Sequence, residues 1–247
     1  NSLHHRHHRH RHRHLVKTEF ARLKQRLQAD CFELPKDLTI VTCRNKGSME
    51  DRIIDHLKGY EDISILEQNL EYLGVGLKVL KDDRLPWRNT FKFELLNHYL
   101  NSGECKTEYF MCVDAIDVIF KDDPQKVIDI FLGFDCEALF MSTTSLDGYN
   151  CMPDIFNQIL DINKDNGRYL NSGVYIGRTD FIKEVIESAM SYANPPGVTM
   201  DDYRDYLASE PKDYPLGSQD QDIFRFLEPQ FYPRLKVDYD NVMAYRG

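Results

Sequence analysis

Two aspartates, Asp114 and Asp117, follow an uninterrupted apolar run from Tyr109 to Val113. Such a run is typical of a strand buried on both faces, as in a parallel sheet, and ligands of open α/β sheets bind outside the carboxyl ends of the strands. A turn at that point would place both carboxylates on one side. Two carboxylates and a diphosphate would give Mg²⁺ or Mn²⁺ the oxygen ligands that these ions prefer. The same spacing also fits a helix N-cap aspartate followed by an exposed one, so both interpretations stay open.

Strands and helices alternate along the sequence, and these elements must position the two aspartates. Apolar runs predict strands at 38–43, 64–66, 77–80, 109–113, 138–141 and 173–177. Helical spacing predicts helices at 49–57, 88–100, 127–132, 181–192 and 200–208, one ending at Leu73 before Gly74, and a last one closing over 223–227. Residues 15–30 fit either a short helix or a continuation of the N-terminal tail. We therefore expect an α/β fold with a single mostly parallel sheet flanked by helices.

The first residues differ in composition from the rest of the chain. Residues 4–14 hold seven of the nine histidines together with four arginines, a pattern that cannot build a core. We interpret residues 1–16 as an expression tag or a disordered metal-binding tail and exclude them from the fold. Without those four arginines the formal charge moves from −9 to −13. Only His56 and His98 remain, so a metal site in the body would be built mainly from carboxylates.

The acidic body argues against a nucleic-acid partner, because neutralising a phosphate backbone needs clustered lysines and arginines. A nucleotide stays compatible, since one bound divalent cation can reverse the local sign of charge. The six cysteines contain no C-x-x-C pair, which argues against a zinc site. No apolar run approaches the roughly 18 residues of a membrane-spanning helix. No signal peptide is visible, which on its own favours the cytoplasm.

Several short motifs follow one another in a fixed order between residues 75 and 242. They are GLKVL from Gly76, Lys92 within a helix, FMCVDAIDVI from Phe110, LFMS from Leu139, CMP from Cys151, YLNSGVYIG from Tyr169, Asp220-Gln221 with Ile223-Phe224, and LKVD from Leu235. In this order they resemble the glycosyltransferase domain of the multifunctional procollagen lysyl hydroxylases and the related procollagen galactosyl- and glucosyltransferases. The resemblance implies the type-A glycosyltransferase fold for residues 17–247 and a place in the secretory lumen.

The resemblance also implies roles for residues on the donor side of the site. Asp114 and Asp117 match aspartates that bind the metal and UDP. Lys92 matches a basic residue near the diphosphate, and we expect Arg88 to help it offset the charge of the leaving group. Thr42, at the end of the first strand, would lie near the uridine. The implied cofactor is Mn²⁺ or Mg²⁺.

On the sugar and acceptor side, Asn171 and Asp220 match residues close to the transferred sugar and the acceptor. The implied activity is metal-dependent transfer of glucose or galactose from UDP-glucose or UDP-galactose to the hydroxyl of a protein or glycan acceptor. The family's acceptors imply hydroxylysine or galactosyl-hydroxylysine on collagen-like chains.

Two positions depart from the family pattern. Gln219 stands where the family has an acidic residue, and Tyr239 follows Asp238 where the family has a metal-binding histidine. Asp238 is therefore the expected third metal ligand, with Asp240 as the other candidate oxygen donor. The departures keep open a non-catalytic domain that only binds a nucleotide sugar. A nucleotidyltransferase is a weaker alternative, because the stretch from Arg44 to Gly47 is too short for the glycine-rich loop of that class.

Overall fold

The computed structural model describes residues 32–45, 64–82, 84, 87–144, 169–193, 195, 197–209, 214–217 and 219–244. Several sequence predictions lie outside these residues: the tail at 1–16, the segment at 15–30, the helix at 49–57 and the CMP motif at Cys151. The boundary between tail and domain likewise stays a prediction.

Six strands form one sheet in the order β2-β1-β3-β5-β4-β6. The strands are β1 (Leu38–Asn45), β2 (Lys78–Asp82), β3 (Tyr109–Val113), β4 (Ala138–Thr143), β5 (Tyr169–Arg178) and β6 (Leu235–Asp238). β1 pairs in parallel with β2 and β3, and β4 pairs in parallel with β6. β5 runs antiparallel to both β3 and β4. The predicted single, mostly parallel sheet is confirmed, with one reversed strand at its centre.

Helices cover both faces of this sheet. They are α1 (Ile65–Leu73), α2 (Phe91–Asn101), α3 (Gln125–Gly133), α4 (Thr179–Ala193), α5 (Met200–Ala208) and α6 (Asp220–Phe231). Side chains of α2, α4 and α6 pack with one face of the sheet, and those of α1 and α3 pack with the other. The sheet therefore has a buried apolar core on each side, as its almost fully apolar central strands require. None of the helices in the described ranges is long and apolar enough to span a bilayer.

One short strand prediction was wrong. Residues 64–66 begin helix α1, in which the Ser64 side chain accepts from the Glu67 N–H and the Glu67 side chain accepts from the Ser64 N–H. This reciprocal capping satisfies two N–H groups that a helix start leaves unpaired, and it outweighs the local strand-like pattern. The end of the same helix was predicted correctly, because Gly74 takes the left-handed conformation (φ 72°) that closes it.

Candidate functional site

The acidic turn after β3 is fixed by hydrogen bonds on both sides. The Asp114 N–H donates to the Gly173 carbonyl of β5 at 2.9 Å, and the Ala115 carbonyl accepts from the Leu66 N–H of α1 at 3.1 Å. Residues 115–117 turn immediately after the strand. The backbone of Asp114 is therefore held rigidly, while about one third of its side chain, 33%, stays exposed. Its carboxylate lies at the carboxyl end of β3, where ligands of such sheets bind.

Lys92, in the first turn of α2, joins two aspartates that are far apart in sequence. Its Nζ donates to Asp114 Oδ1 at 2.8 Å and lies 3.5 Å from Asp220 Oδ2. The Lys92 and Asp220 side chains are mostly buried, with exposed fractions of 16% and 8%. Hydrogen bonds between charged groups are stronger than neutral ones, so this triad ties α2 and α6 to the end of β3.

Asp220 is itself positioned by β5. Ser172 Oγ donates to Asp220 Oδ2 at 3.1 Å, and the Ser172 N–H donates to Gln221 Oε1 at 3.2 Å. Asp220 is the first residue of α6, where a carboxylate also interacts favourably with the helix dipole. The start of α6 is therefore held against β5 by both the side chain and the backbone of one serine.

The Asn171–Gly173 run shapes the space around Asp114. Asn171 Oδ1 accepts from the Gly173 N–H at 2.8 Å. A Cβ added to Gly173 would lie 3.0 Å from Asn171 Oδ1 and 3.2 Å from Asp114 Oδ2. These contacts are too close for an undisturbed side chain, so the glycine leaves room for the Asp114 carboxylate to face β5.

Burial and neighbouring charges both shift the pKa values of Asp114 and Lys92. Burial raises the pKa of Asp114 to about 6, and Asp117 and Asp220 add to the rise although Lys92 opposes it. Burial alone would lower the pKa of Lys92, but Asp114 and Asp220 together raise it above its usual range. Lys92 therefore stays protonated. The site holds three interacting carboxylates and one cation, and so keeps an excess of negative charge.

Thr42 and Arg88, which we predicted to bind the nucleotide-sugar donor, lie apart from this triad. Thr42 is fully buried, and its hydroxyl donates to the Val113 carbonyl at 2.6 Å. Thr42 therefore supports the last residue of β3 from the neighbouring strand. Arg88 is exposed, with its guanidinium 5.9 Å from the Phe91 ring centre. Its Nη2 would lie 3.8 Å from a Cβ on Gly217, so it sits beside the segment that leads into α6.

Asp238 lies on the other face of the sheet from Lys92. Its neighbour Val237 packs in the cluster formed with α2, α4 and α6, and successive strand residues point to opposite faces. Asp238 is fully buried, and its Oδ2 accepts from the Met243 N–H at 2.7 Å. Its Oδ1 has no hydrogen-bond partner among the described residues, which makes it an unusual buried carboxylate.

The described part of the chain contains no cluster of three or more histidine, cysteine, aspartate or glutamate side chains arranged to hold a metal. The predicted set of Asp114, Asp117 and Asp238 therefore stays a prediction. Asp114 and Asp117 by themselves fit a divalent cation, because they offer hard oxygen ligands from one turn. The negative charge of Asp117 also contributes to the raised pKa of Asp114.

Both departures from the family pattern take part in hydrogen bonds. Tyr239 donates its hydroxyl to Glu228 Oε1 at 3.0 Å. Gln219 Oε1 accepts from Asn89 Nδ2 at 2.5 Å, and Asn89 Oδ1 accepts from Trp87 Nε1 at 2.9 Å. The second chain of bonds links the segment before α2 to the segment before α6.

Sequence reasoning did not single out Ser172, Asn89 or Glu228. Ser172 could have been found from the sequence, because it lies between Asn171 and Gly173 in the most specific motif. Asn89 carries no local pattern, because its partner Gln219 is 130 residues away. Its role follows only from the packing of α2 beside α6.

Comparisons with known proteins add the following. The family model described as "PLOD GT domain" matches residues 55–195. Among solved structures, the fold is similar to a glycosyltransferase involved in the glycosylation of the major capsid of PBCV-1, with 14% identity, a TM-score of 0.45, and 81% of this chain and 80% of that chain covered. It is also similar to mouse xyloside xylosyltransferase 1 in its apo form, with 12% identity, a TM-score of 0.44, and 82% and 85% covered. No curated protein sequence matches the chain.

Proposed function

The chain belongs to the PLOD GT domain family, the glycosyltransferase domain of the procollagen lysyl hydroxylases, and on that premise we propose that it transfers glucose or galactose from a UDP-sugar to an acceptor hydroxyl with the help of a divalent cation. The observation that carries this proposal is the Lys92–Asp114–Asp220 triad at the carboxyl end of β3. It combines acidic oxygens for a cation with an ammonium group for phosphate. A hydroxylysine-linked site on a collagen-like chain is the proposed acceptor, by membership of the family.

On the donor side, the chain supplies charge of both signs within a few ångströms. Asp114 and Asp117 would hold Mn²⁺ or Mg²⁺, which when bound neutralises charge on a departing diphosphate. Lys92 is fully protonated and partly accessible, so it can donate a charge-assisted hydrogen bond to a phosphate oxygen. Arg88 lies at the exposed edge of the same helix start and would add attraction for the nucleotide.

On the acceptor side, Asp220 is the proposed orienting group. Ser172 and Lys92 both hold its Oδ2, so the carboxylate is fixed before any ligand enters, as positioning catalysis requires. In that place it would accept a hydrogen bond from the acceptor hydroxyl or stabilise positive charge at the anomeric carbon. Asn171 would orient the sugar from the neighbouring position of β5.

The test is UDP release from UDP-glucose and UDP-galactose in the presence of MnCl₂ and a hydroxylysine peptide. We expect Asp114→Asn to lower kcat/KM by about 100-fold or more, the scale on which an electrostatic group contributes. Asp129→Asn is the matched control, because Asp129 is exposed on α3 and its side chain accepts a hydrogen bond from Gln125. Equal rates for the wild type, Asp114→Asn and Asp129→Asn would overturn the proposal.

A second candidate is a domain that binds a nucleotide sugar without turning it over. The observation that favours it is Tyr239, which stands where the family has a metal-binding histidine. Its hydroxyl donates to Glu228. Calorimetry separates the two candidates. UDP binding that is weakened in Asp114→Asn, without UDP release from any donor, would select the second.

A further inference from the structure

The triad contains a cation of the chain itself at the place where a metal would bind. Asp114, Asp117 and Asp220 interact electrostatically, and Lys92 is the ammonium group bonded to Asp114. A lone ammonium offsets one of these three negative charges. The remaining excess of two matches the charge of one divalent ion.

Lys92 and a metal ion would share the same carboxylate, that of Asp114. Asp114 Oδ1 accepts the Lys92 Nζ at 2.8 Å, whereas a bound Mg²⁺ lies about 2 Å from its oxygen ligands. Two cations that close on one carboxylate would repel each other strongly in a mostly buried site. That repulsion would weaken the bond from Lys92 to Asp114 when a metal binds the carboxylate.

Lys92 has a second partner that stays in place. Asp220 Oδ2 lies 3.5 Å from Nζ and is held by Ser172 Oγ. The lysine side chain is a flexible four-carbon stem with three donors. A small rotation can thus move Nζ from Asp114 toward Asp220 without leaving a buried charge unpaired.

From this geometry we propose that Lys92 is a built-in substitute cation that holds the Asp114 carboxylate until a divalent metal displaces it toward Asp220. The inference rests on the proposed cation dependence and goes beyond it, because it makes metal binding and lysine release one exchange. The free domain would bind metal weakly, and a nucleotide diphosphate would favour the exchange by accepting the released ammonium group.

The first experiment measures Mn²⁺ binding by calorimetry on the whole chain without nucleotide. We expect Lys92→Gln to bind Mn²⁺ at least about tenfold more tightly than the wild type, because the competing charge is gone. Lys126→Gln is the matched control: it removes the same charge from an exposed pair with Asp122, in which the lysine side chain is 63% exposed. Circular dichroism confirms that each variant is folded. Equal or weaker Mn²⁺ binding by Lys92→Gln, or no Mn²⁺ binding by any of the three proteins, overturns the exchange.

The second experiment uses the wild type alone, so it does not depend on a folded variant. Reductive methylation of Lys92, followed by peptide mass spectrometry, reports how tightly its amine is held. Mn²⁺ alone should speed the methylation of Lys92 and leave that of Lys126 unchanged. An unchanged Lys92 rate at saturating Mn²⁺ would show that the metal binds without displacing it. Neither readout uses turnover, so a failed UDP-release assay and a failed exchange are separate results.

Discussion

At the scale of single residues, Gly173 limits the space beside the Asp114 carboxylate. A Cβ there would lie 3.0 Å and 3.2 Å from the side-chain oxygens of Asn171 and Asp114, so both would have to shift by a few tenths of an ångström. We expect Gly173→Ala to fold but to lower kcat/KM about tenfold or more, because small misplacements of reacting groups are costly. The measurement is UDP release beside a urea unfolding curve. Full activity would show that the position of Asp114 is not critical.

Ser172 tests the support of Asp220. Ser172→Ala removes the donor to Asp220 Oδ2, and a lost buried hydrogen bond costs roughly 1 kcal/mol or somewhat more. We expect Ser172→Ala to lower kcat more than it lowers the affinity for the UDP-sugar. Ser172→Thr, which keeps a hydroxyl, should restore kcat. Ser191→Ala, which deletes an exposed hydroxyl on α4, should change neither quantity. A variant whose only defect is lower stability would mean that Ser172 has no role in orienting Asp220.

The sequence was informative about residue identity but not about residue contacts. Asp114 and Lys92 could be singled out, yet their hydrogen bond spans 22 positions and joins a helix to a strand. No local spacing encodes such a pair. The same limit applies to Asp238, which we expected to replace the family's metal-binding histidine although strand alternation directs it to the opposite face from Asp114.

At the scale of elements, α6 carries a buried acid that makes folding depend on pH. Burial raises the pKa of Glu228 from 4.5 to about 7, against the opposing effects of Tyr239 and Arg225. The folded state therefore binds this proton more tightly than the unfolded state. Its contribution to stability is complete below about pH 4.5 and is lost as the pH rises toward 7.

Glu228→Gln should remove this dependence of the stability on pH. Glutamine stays neutral and can still accept from Tyr239, so the variant should gain stability relative to the wild type between about pH 5 and pH 8, by up to about 3 kcal/mol. Thermal unfolding at both pH values measures the difference. The exposed Glu187→Gln of α4 is the control. A constant difference between variant and wild type across this range would contradict the assignment to Glu228.

The junction of β5 and α4 depends on a residue without a side chain. A Cβ on Gly177 would lie 2.7 Å from the Glu137 carbonyl and 2.8 Å from Ile182 Cδ1. Since the carbonyl belongs to the backbone, we expect Gly177→Ala to lower the free energy of unfolding by about 2 kcal/mol. Gly133→Ala, at the end of α3 with nothing within 4 Å of the added Cβ, should be tolerated. Similar unfolding midpoints in urea for both variants would contradict this expectation.

Element types were largely predictable, but the direction of β5 was not. Its apolar run at 173–177 is buried on both faces, like a parallel strand, so its pattern does not distinguish the two orientations. The helix predicted at 88–100 begins at Phe91, and the helix at 200–208 has the predicted bounds. Capping would have corrected the strand expected at 64–66, because Ser64 and Glu67 have the spacing of a capping box.

At the scale of the whole molecule, the final segment completes both the core and the site. Phe224 of α6 packs against Phe93, Phe140 and Tyr175, with ring centres 4.9 to 5.3 Å apart. β6 pairs with β4 along the edge of the sheet. These elements lie beyond the residues matched by the family model, which ends at 195.

A chain that ends at residue 218 should therefore fail to unfold cooperatively, because it exposes the aromatic cluster and lacks an edge strand. Calorimetry should show no sharp transition and dye binding should reveal exposed apolar surface. A chain lacking residues 1–16 should keep the transition of the full protein. A sharp transition in the shorter chain would mean that the first five strands form an independent unit.

The late position of Asp220 has a consequence for protein synthesis. The ribosome makes Lys92, the acidic turn and Ser172 before it makes the helix that carries Asp220 and the strand that closes the sheet edge. Until then the nascent chain holds an ammonium group and an acidic turn but lacks the carboxylate that would orient an acceptor. Catalytic competence should thus appear only after residues 220–238 have been made and folded, so that a shorter growing chain does not consume the UDP-sugar.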